Sequence, residues 1–412
     1  MHTIFMPLAL RQFLDKIMCW FIVSKTSYEA GGSIFMAMRK RKFLIKGAEK
    51  PRPVSMSAGA VASVTPSSSR NLLREMRELI VSSRGHVAQA VDAGLTMLYW
   101  KVGACIRREI LGEKRAKYGD KVVATLSRRL EVEFGRGFAE KNLRRMMQFV
   151  ELFPDEKIVA ALLRQLGWTH FTLLMPIKDS LEREFYAEMC RIERWNTRTL
   201  QKKIQSMLYE RTALSRKPAK LAEVELKALR ESDRLTPDLV FRDPYFLDFL
   251  GLKDTYAEKD LEVAILREME SFILELGTGF AFLERQKRMI VDGVDYYLDL
   301  LFFHRDLRRL VAVELKIGEF QPGNKGQMEL YLRWLNRHER KADEEAPIGL
   351  ILCAGKRQET IELLDLDQSG IQVSSYWTQA LPKAALESKL HEAIQLARNR
   401  ILQNKRLAGL NP

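Results

Sequence analysis

The sequence predicts a mixed α/β fold in its C-terminal half, with a central sheet flanked by helices. A mostly α-helical region with a helix-turn-helix-like segment precedes it. Three observations predict this. Apolar residues recur at helical spacing through 71–217, for example Leu72, Met76, Leu79 and Ile80, then Leu95, Leu98, Val102 and Ile106. From 258 the texture changes, and apolar runs of strand length begin at 280. Between the two lies a segment punctuated by Pro218, Pro237 and Pro244. A chain of 412 residues has room for two or three domains.

Residues 1–70 are read as a disordered or mis-annotated extension. The basic run at 38–42 and the Ser-, Ala- and Val-rich stretch around Pro66 carry no helical or strand period, and the true start is expected at Met56. A targeting peptide is the rival reading, but no basic n-region leads directly into an apolar core and a small-residue cleavage site. Residues 71–217 form the basic helical domain, whose last helix is expected over 197–210 with Leu200, Ile204 and Leu208 on one face. Residues 218–257 are read as a connector. The α/β domain spans 258–395, leaving 396–412 as a tail.

Within the α/β domain, 258–276 reads as one helix, followed by strands at 280–291, 294–303 and 310–317. Asp292-Gly293 is a tight hairpin signal between the first two strands. His304 falls in the turn before the third strand and is expected to be solvated. A helix at 325–336, a strand at 348–353, a short helix near 359–365 and a strand at 371–376 follow, and a basic helix begins near Lys383. A meander followed by strand–helix alternation places helices on both faces of the sheet.

Composition narrows the function. Hydrophobic residues at 46% and charged residues at 29% exclude a globally disordered chain. The longest apolar run near the start, 17–23, falls short of the roughly 20 residues a membrane helix needs. Cys19, Cys105, Cys190 and Cys353 form no Cys-x-x-Cys pair, which excludes a thiolate zinc ribbon and fits a reducing cytoplasm. No Gly-x-x-x-x-Gly-Lys-Ser/Thr loop supports ATP hydrolysis. The net charge of +14 is uneven. Residues 1–70 hold 11 Lys/Arg against 3 Asp/Glu, 71–220 hold 29 against 18, and 221–412 hold 27 against 32. A basic first half attracts polyanions, because neutralising phosphates releases condensed counterions. The mildly acidic second half suits carboxylates that need a cation.

Two segments carry chemistry. Asp299 lies inside an apolar strand, and Glu314 and Lys316 project from one face of the next, since strand side chains alternate. If the strands pair about a turn centred between Asp306 and Leu307, Asp299 stands opposite Glu314. Two like carboxylates at that distance repel, and a hard divalent ion such as Mg2+ or Mn2+ would reconcile them. Lys316 would orient a water or stabilise charge developing on phosphate, which is metal-assisted phosphodiester hydrolysis. In the helical region, two helices joined by Gly135-Arg136-Gly137 form a helix-turn-helix pattern. Lys141, Arg144, Arg145 and Gln148 recur on the second helix, and such side chains suit phosphates and purine edges of DNA. Trp168-Thr169-His170-Phe171 is read as a packing element, because no serine or cysteine nucleophile pairs with the histidine.

Asp299, Glu314-Leu315-Lys316 and Gln327-Met328-Glu329-Leu330-Tyr331 together resemble the PD-(D/E)xK nuclease superfamily. The wider context, including Phe272-Ile273-Leu274-Glu275-Leu276-Gly277, resembles the YhcG family. That resemblance covers most of the chain beyond 1–55: Gly167-Trp168-Thr169-His170-Phe171 and Leu208-Tyr209-Glu210-Arg211 match the family's amino-terminal domain. It implies a restriction-endonuclease-like fold and a nuclease acting on DNA, with RNA as the alternative polymer. It implies Asp299 and Glu314 as metal ligands, Lys316 as the catalytic lysine and Glu262 as the first acidic residue, although Glu268 and Glu270 share its helix. Gln327 and Tyr331, one helical turn apart, would line the site or touch the DNA backbone. Leu298 stands where the superfamily's label has proline. A homodimer is expected on the ground that cutting both strands needs two sites. The alternative is a DNA-binding or regulatory protein whose nuclease-like domain is inactive.

Overall fold

A computed structural model describes residues 66–112, 116–252 and 255–407. The expectations for the N-terminal extension lie almost wholly outside the described residues. The described residues from Leu72 onward form one compact unit.

The helical region opens with α1 (Pro66–Gly112), α2 (Ala116–Phe134) and α3 (Glu140–Leu152). Gly135 ends α2 at φ 87°, a left-handed backbone that glycine adopts without cost, and a single 3-10 turn (Arg136–Phe138) leads into α3. Helix α3 is amphipathic: Leu143, Met146 and Phe149 are fully buried, while Lys141, Arg144, Arg145 and Gln148 are exposed. Helix α1 passes close to it, and a Cβ on Gly103 would lie 2.1 Å from the Met146 carbonyl oxygen.

Helices α4 (Glu156–Leu162), α5 (Trp168–Leu174), α6 (Ser180–Ile192) and α7 (Thr197–Gln205) follow. Three start under side-chain caps that satisfy otherwise orphaned N–H groups, from Asp155, Asp179 and Asn196. Each such cap contributes about 1 kcal/mol. The helix expected over 197–210 is two: Met207 takes a left-handed turn (φ 51°), and α8 (Leu208–Arg211) starts anew. Trp168-Thr169-His170-Phe171 is indeed packing, since Phe149 and Phe153 lie against Phe171 and His170 Nδ1 accepts the Gly167 N–H at 3.1 Å.

The segment 218–257, expected as a connector, carries α9 (Ala219–Ser232), packed on α6, the short α10 (Pro237–Val240) and an edge strand, β1 (Tyr245–Phe246). The helix expected over 258–276 breaks at Glu268 into α11 (Glu258–Arg267) and α12 (Met269–Leu276). Then come β2 (Phe280–Val291), β3 (Val294–His304), β4 (Arg309–Glu319), α13 (Pro322–His338), β5 (Ile348–Gly355), α14 (Gln358–Leu363), β6 (Ile371–Trp377) and α15 (Lys383–Leu407). No helix among the described residues is long and apolar enough to cross a membrane.

The six strands form one mixed sheet in the order β1-β6-β5-β4-β3-β2. β2, β3 and β4 are an antiparallel meander, whereas β4, β5, β6 and β1 run parallel. Asp292 and Gly293 both have positive φ (48° and 79°), the two-residue turn that matches strand twist. The parallel β4–β5 link requires a crossover, and α13 supplies it. One face of β4 points Val311, Val313 and Leu315 into the larger core, which takes in Tyr245 of β1 and continues into the helical region through Phe171 and Phe185. The other face meets Met328, Tyr331, Leu332 and Leu335 of α13. His304 is not a solvated turn residue. It is fully buried, its Nδ1 accepts the Leu307 N–H at 3.1 Å, and burial pushes its pKa down to about 4.

Candidate active site

β3 and β4 pair from His304 opposite Arg309 to Leu300 opposite Val313, the register expected from the turn, and the ladder ends one step before Asp299 and Glu314. Glu314 is buried on the face that α13 covers, and Lys316, two residues on, is half-buried on the same face. Lys316 Nζ donates to Glu314 Oε1 at 3.0 Å. Asp299 Oδ2 accepts the Leu315 N–H at 2.8 Å, which ties the β3 carboxylate to the strand bearing the other two groups.

Helix α13 adds a second layer. Gln327 Nε2 donates to Glu314 Oε1 at 3.2 Å and to Tyr331 Oη at 2.6 Å, and the tyrosine donates to the Tyr297 carbonyl at 3.1 Å. Gln327 therefore touches the carboxylate directly, and buried Tyr331 fixes Gln327. From α11, Glu262 Oε2 accepts from Gln286 Nε2 at 3.0 Å, and the same nitrogen donates to Asp299 Oδ1 at 3.0 Å. Glu262, Asp299, Glu314, Lys316, Gln327 and Tyr331 thus belong to one hydrogen-bonded cluster. Two further members come from outside the sequence reading. Gln286 bridges two carboxylates, and Glu258, at the start of α11, lies 3.8 Å from Lys316 Nζ and accepts the Ile317 N–H at 3.4 Å. Glu268 and Glu270 are not among the cluster's hydrogen-bonding partners.

The electrostatics follow from burial. Burial pushes the Glu314 carboxyl up to about 7, with the Asp299 charge adding to the rise and Lys316 opposing it. Burial also raises Asp299, against the Leu315 N–H and Gln286. It raises Glu262 too, helped by Asp299. Burial works against the Lys316 ammonium, but Glu314, Glu258 and Asp299 outweigh it and hold its pKa above the ordinary value. The cluster is short of positive charge. Glu314 Oε2 is buried without a hydrogen-bond partner, as is Glu262 Oε1, which has only Arg285 Nε at 4.0 Å. An orphaned buried carboxylate oxygen beside a second carboxylate is what a hard cation would satisfy. Asp299 and Glu314 are the residues that fit one. Among the described residues, no three His, Cys, Asp or Glu side chains form a group that could hold a metal, so water or substrate oxygens would complete the shell.

Fold and site define the class: a restriction-endonuclease-like α/β domain of the PD-(D/E)xK type behind a helical region. A family model described as the YhcG PDDEXK nuclease domain matches 238–391, and one described as the DUF1016 N-terminal domain matches 75–211. The chain is 35% identical over 308 residues to the Escherichia coli (strain K12) protein called "Putative nuclease YhcG", covering 68% of this chain and 81% of that one. The chain belongs to the YhcG nuclease family. A crystal structure of a repair endonuclease from Pyrococcus abyssi is 20% identical, with 32% of this chain and 50% of that chain covered at a TM-score of 0.21. A structure of an EndoMS–dsDNA2 complex is 20% identical, with 32% and 49% covered at a TM-score of 0.24. The chain spans about half the length of these two structures.

Proposed function

We propose that the chain is a divalent-metal-dependent nuclease that hydrolyses phosphodiester bonds of DNA in the cytoplasm, with Mg2+ or Mn2+ held by Asp299 and Glu314. The observation that carries this reading is the buried, partnerless Glu314 Oε2 beside Asp299, with Lys316 Nζ at 3.0 Å from the same carboxylate's other oxygen. A bound divalent ion would act as a Lewis acid toward the scissile phosphate. The chain's own groups do the rest. Lys316 orients the attacking water or meets charge developing on a phosphoryl oxygen. Gln327 and Tyr331 fix the Glu314 carboxylate, and Glu262 adds negative charge beside Asp299.

Substrate capture falls to the helical region. The exposed Lys141, Arg144, Arg145 and Gln148 on α3 would meet phosphates and base edges of DNA, with α2 and α3 acting as a helix-turn-helix. A cytoplasmic setting is supported by Cys105, Cys190 and Cys353, which are all free thiols. Cleavage of both strands would bring two copies together. The test is purified protein with duplex, branched and single-stranded DNA and with RNA, in Mg2+ or Mn2+, wild type beside Lys316→Ala. Cleavage by the wild type alone supports the reading. Binding without scission by either protein would favour the regulatory alternative.

A further inference from the structure

Gln286 takes an unusual position. It lies within β2, yet its φ is 46°, the left-handed region that a non-glycine strand residue rarely enters. Its neighbours pair Arg285 with Leu300 and Lys287 with Leu298, so Gln286 faces Asp299 across the ladder. One extra residue in β2, between Phe282 and Glu284, shifts the register just before it. Bulge and backbone turn together aim one amide into the carboxylate cluster.

The amide's orientation is dictated by chemistry. Glu262 Oε2 and Asp299 Oδ1 are both acceptors, so only the NH2 end can face them, one N–H to each at 3.0 Å. A nitrogen donor thus stands between two carboxylates where a bridging cation would otherwise stand. The two sides of Asp299 differ in one respect. Glu262 and Asp299 share a protein donor, Gln286 Nε2, although Glu262 Oε1 is buried without a hydrogen bond. Glu314 and Asp299 share no side-chain donor: Glu314 Oε1 accepts from Lys316 and Gln327, and Glu314 Oε2 is buried without a hydrogen bond. A neutral amide supplies two hydrogen bonds but no charge, so it holds Glu262 near Asp299 without neutralising either.

We propose that Gln286 is a positioning residue that occupies the second cation position of this cluster, so that the site takes one divalent ion, at Asp299 and Glu314, instead of two. This rests on reading the cluster as a divalent-ion site. Glu262 is then held as a charged wall by Gln286 and does not enter the ligand set. The same amide would be lost to any substitution that cannot donate twice.

The test uses the full chain and Mn2+ alone, counted by equilibrium titration and by the electron paramagnetic resonance of the bound ion, without a cleavage assay. The wild type is expected to bind one Mn2+ per chain, lost in Asp299→Asn. Gln286→Glu replaces the donor with a ligand and is expected to bind two, with the spectrum of a coupled pair. Gln286→Ala vacates the position without adding charge, and serves if the acidic variant fails to fold. It is expected to admit a second, weaker ion. Two ions per wild-type chain, both lost in Asp299→Asn, would overturn the role of Gln286 and leave the metal reading standing. A single ion in a folded Gln286 variant would also overturn it. Absence of any Mn2+ sensitive to Asp299→Asn would overturn both.

Discussion

Lys316 Nζ sits 3.0 Å from Glu314 Oε1, two residues away on one face of β4, and that pairing sets the charge of the whole cluster. Removing the ammonium leaves Glu314 buried beside Asp299 with no protein cation in contact. Lys316→Ala is expected to lower the cleavage rate by about 10²–10³-fold, the usual cost of deleting one preorganised group that stabilises charge in a transition state. DNA affinity should stay near the wild-type value, because the exposed basic face of α3 is untouched. Single-turnover cleavage and fluorescence anisotropy measure the two quantities separately. A loss of affinity with an unchanged rate would contradict the role given to Lys316.

Glu314→Gln tests the ion directly. The amide keeps the size of the side chain and removes the charge that burial disfavours, so the metal-free protein should be as stable as the wild type or more so. The wild type should gain thermal stability on adding Mn2+, about 2.7 kcal/mol at a concentration of 100 times the dissociation constant. Glu314→Gln should lose that gain. Differential scanning calorimetry with and without Mn2+ reads both effects. An equal gain in the variant would place the ion elsewhere.

Strand alternation and turn position made the centre of this site legible. Glu314 and Lys316 share a face because their spacing is two, and the turn before Arg309 sets a register that runs as far as Leu300 opposite Val313, next to Asp299 and Glu314. Helical spacing put Gln327 and Tyr331 on one face, but only packing against Tyr297 and Glu314 turned that face inward. Gln286 was illegible. Its contacts depend on a register shift and a left-handed backbone, neither of which leaves a signal in a run of alternating strand residues. Glu262 could not be separated from Glu268 and Glu270 by period alone, since the break at Glu268 decides which carboxylate reaches the sheet. The strand character of Tyr245–Phe246 was hidden for a different reason. Two residues carry no periodicity, and their partners Tyr376 and Trp377 lie far along the chain.

Asp243 is a further long-range contact, and a stability switch. Its carboxylate accepts from Arg216 Nη1 at 2.7 Å and from Ser375 N and Oγ at 2.9 and 2.8 Å, and Lys356 Nζ lies 2.6 Å away. Burial alone would raise this carboxyl, but Lys356 and Arg216 outweigh burial and hold it well below the usual carboxylate range. A pKa lowered by folding means that the unfolded chain takes up the proton first, near pH 4. The contribution is therefore complete above about pH 5 and is lost as the pH falls through the native pKa. Asp243→Asn leaves two half-buried cations, Arg216 and Lys356, short of a partner and is expected to cost about 3 kcal/mol at neutral pH. The variant should also lose less stability than the wild type on acidification. Urea unfolding at pH 7 and at about pH 2.5, below the unfolded pKa, tests both statements. A parallel loss in the two proteins would remove Asp243 as the cause.

The basic face of α3 makes the last prediction. Leu143, Met146 and Phe149 bury the opposite face, so Lys141, Arg145 and Gln148 contribute little packing and their removal should leave thermal stability within about 0.5 kcal/mol of wild type. If Lys141 and Arg145 neutralise phosphates, each alanine variant should weaken DNA binding and reduce the slope of log affinity against log salt by about 1. Gln148 carries no charge. Its loss should leave that slope unchanged and alter the discrimination between sequences by about 1–3 kcal/mol if it reads a base edge. Anisotropy titrations across a salt series separate these outcomes. An unchanged slope in both cation variants would assign DNA capture to another surface. The helix would then serve packing alone, through Leu143, Met146 and Phe149 and against Gly103, where α1 comes so near the α3 backbone that no side chain fits.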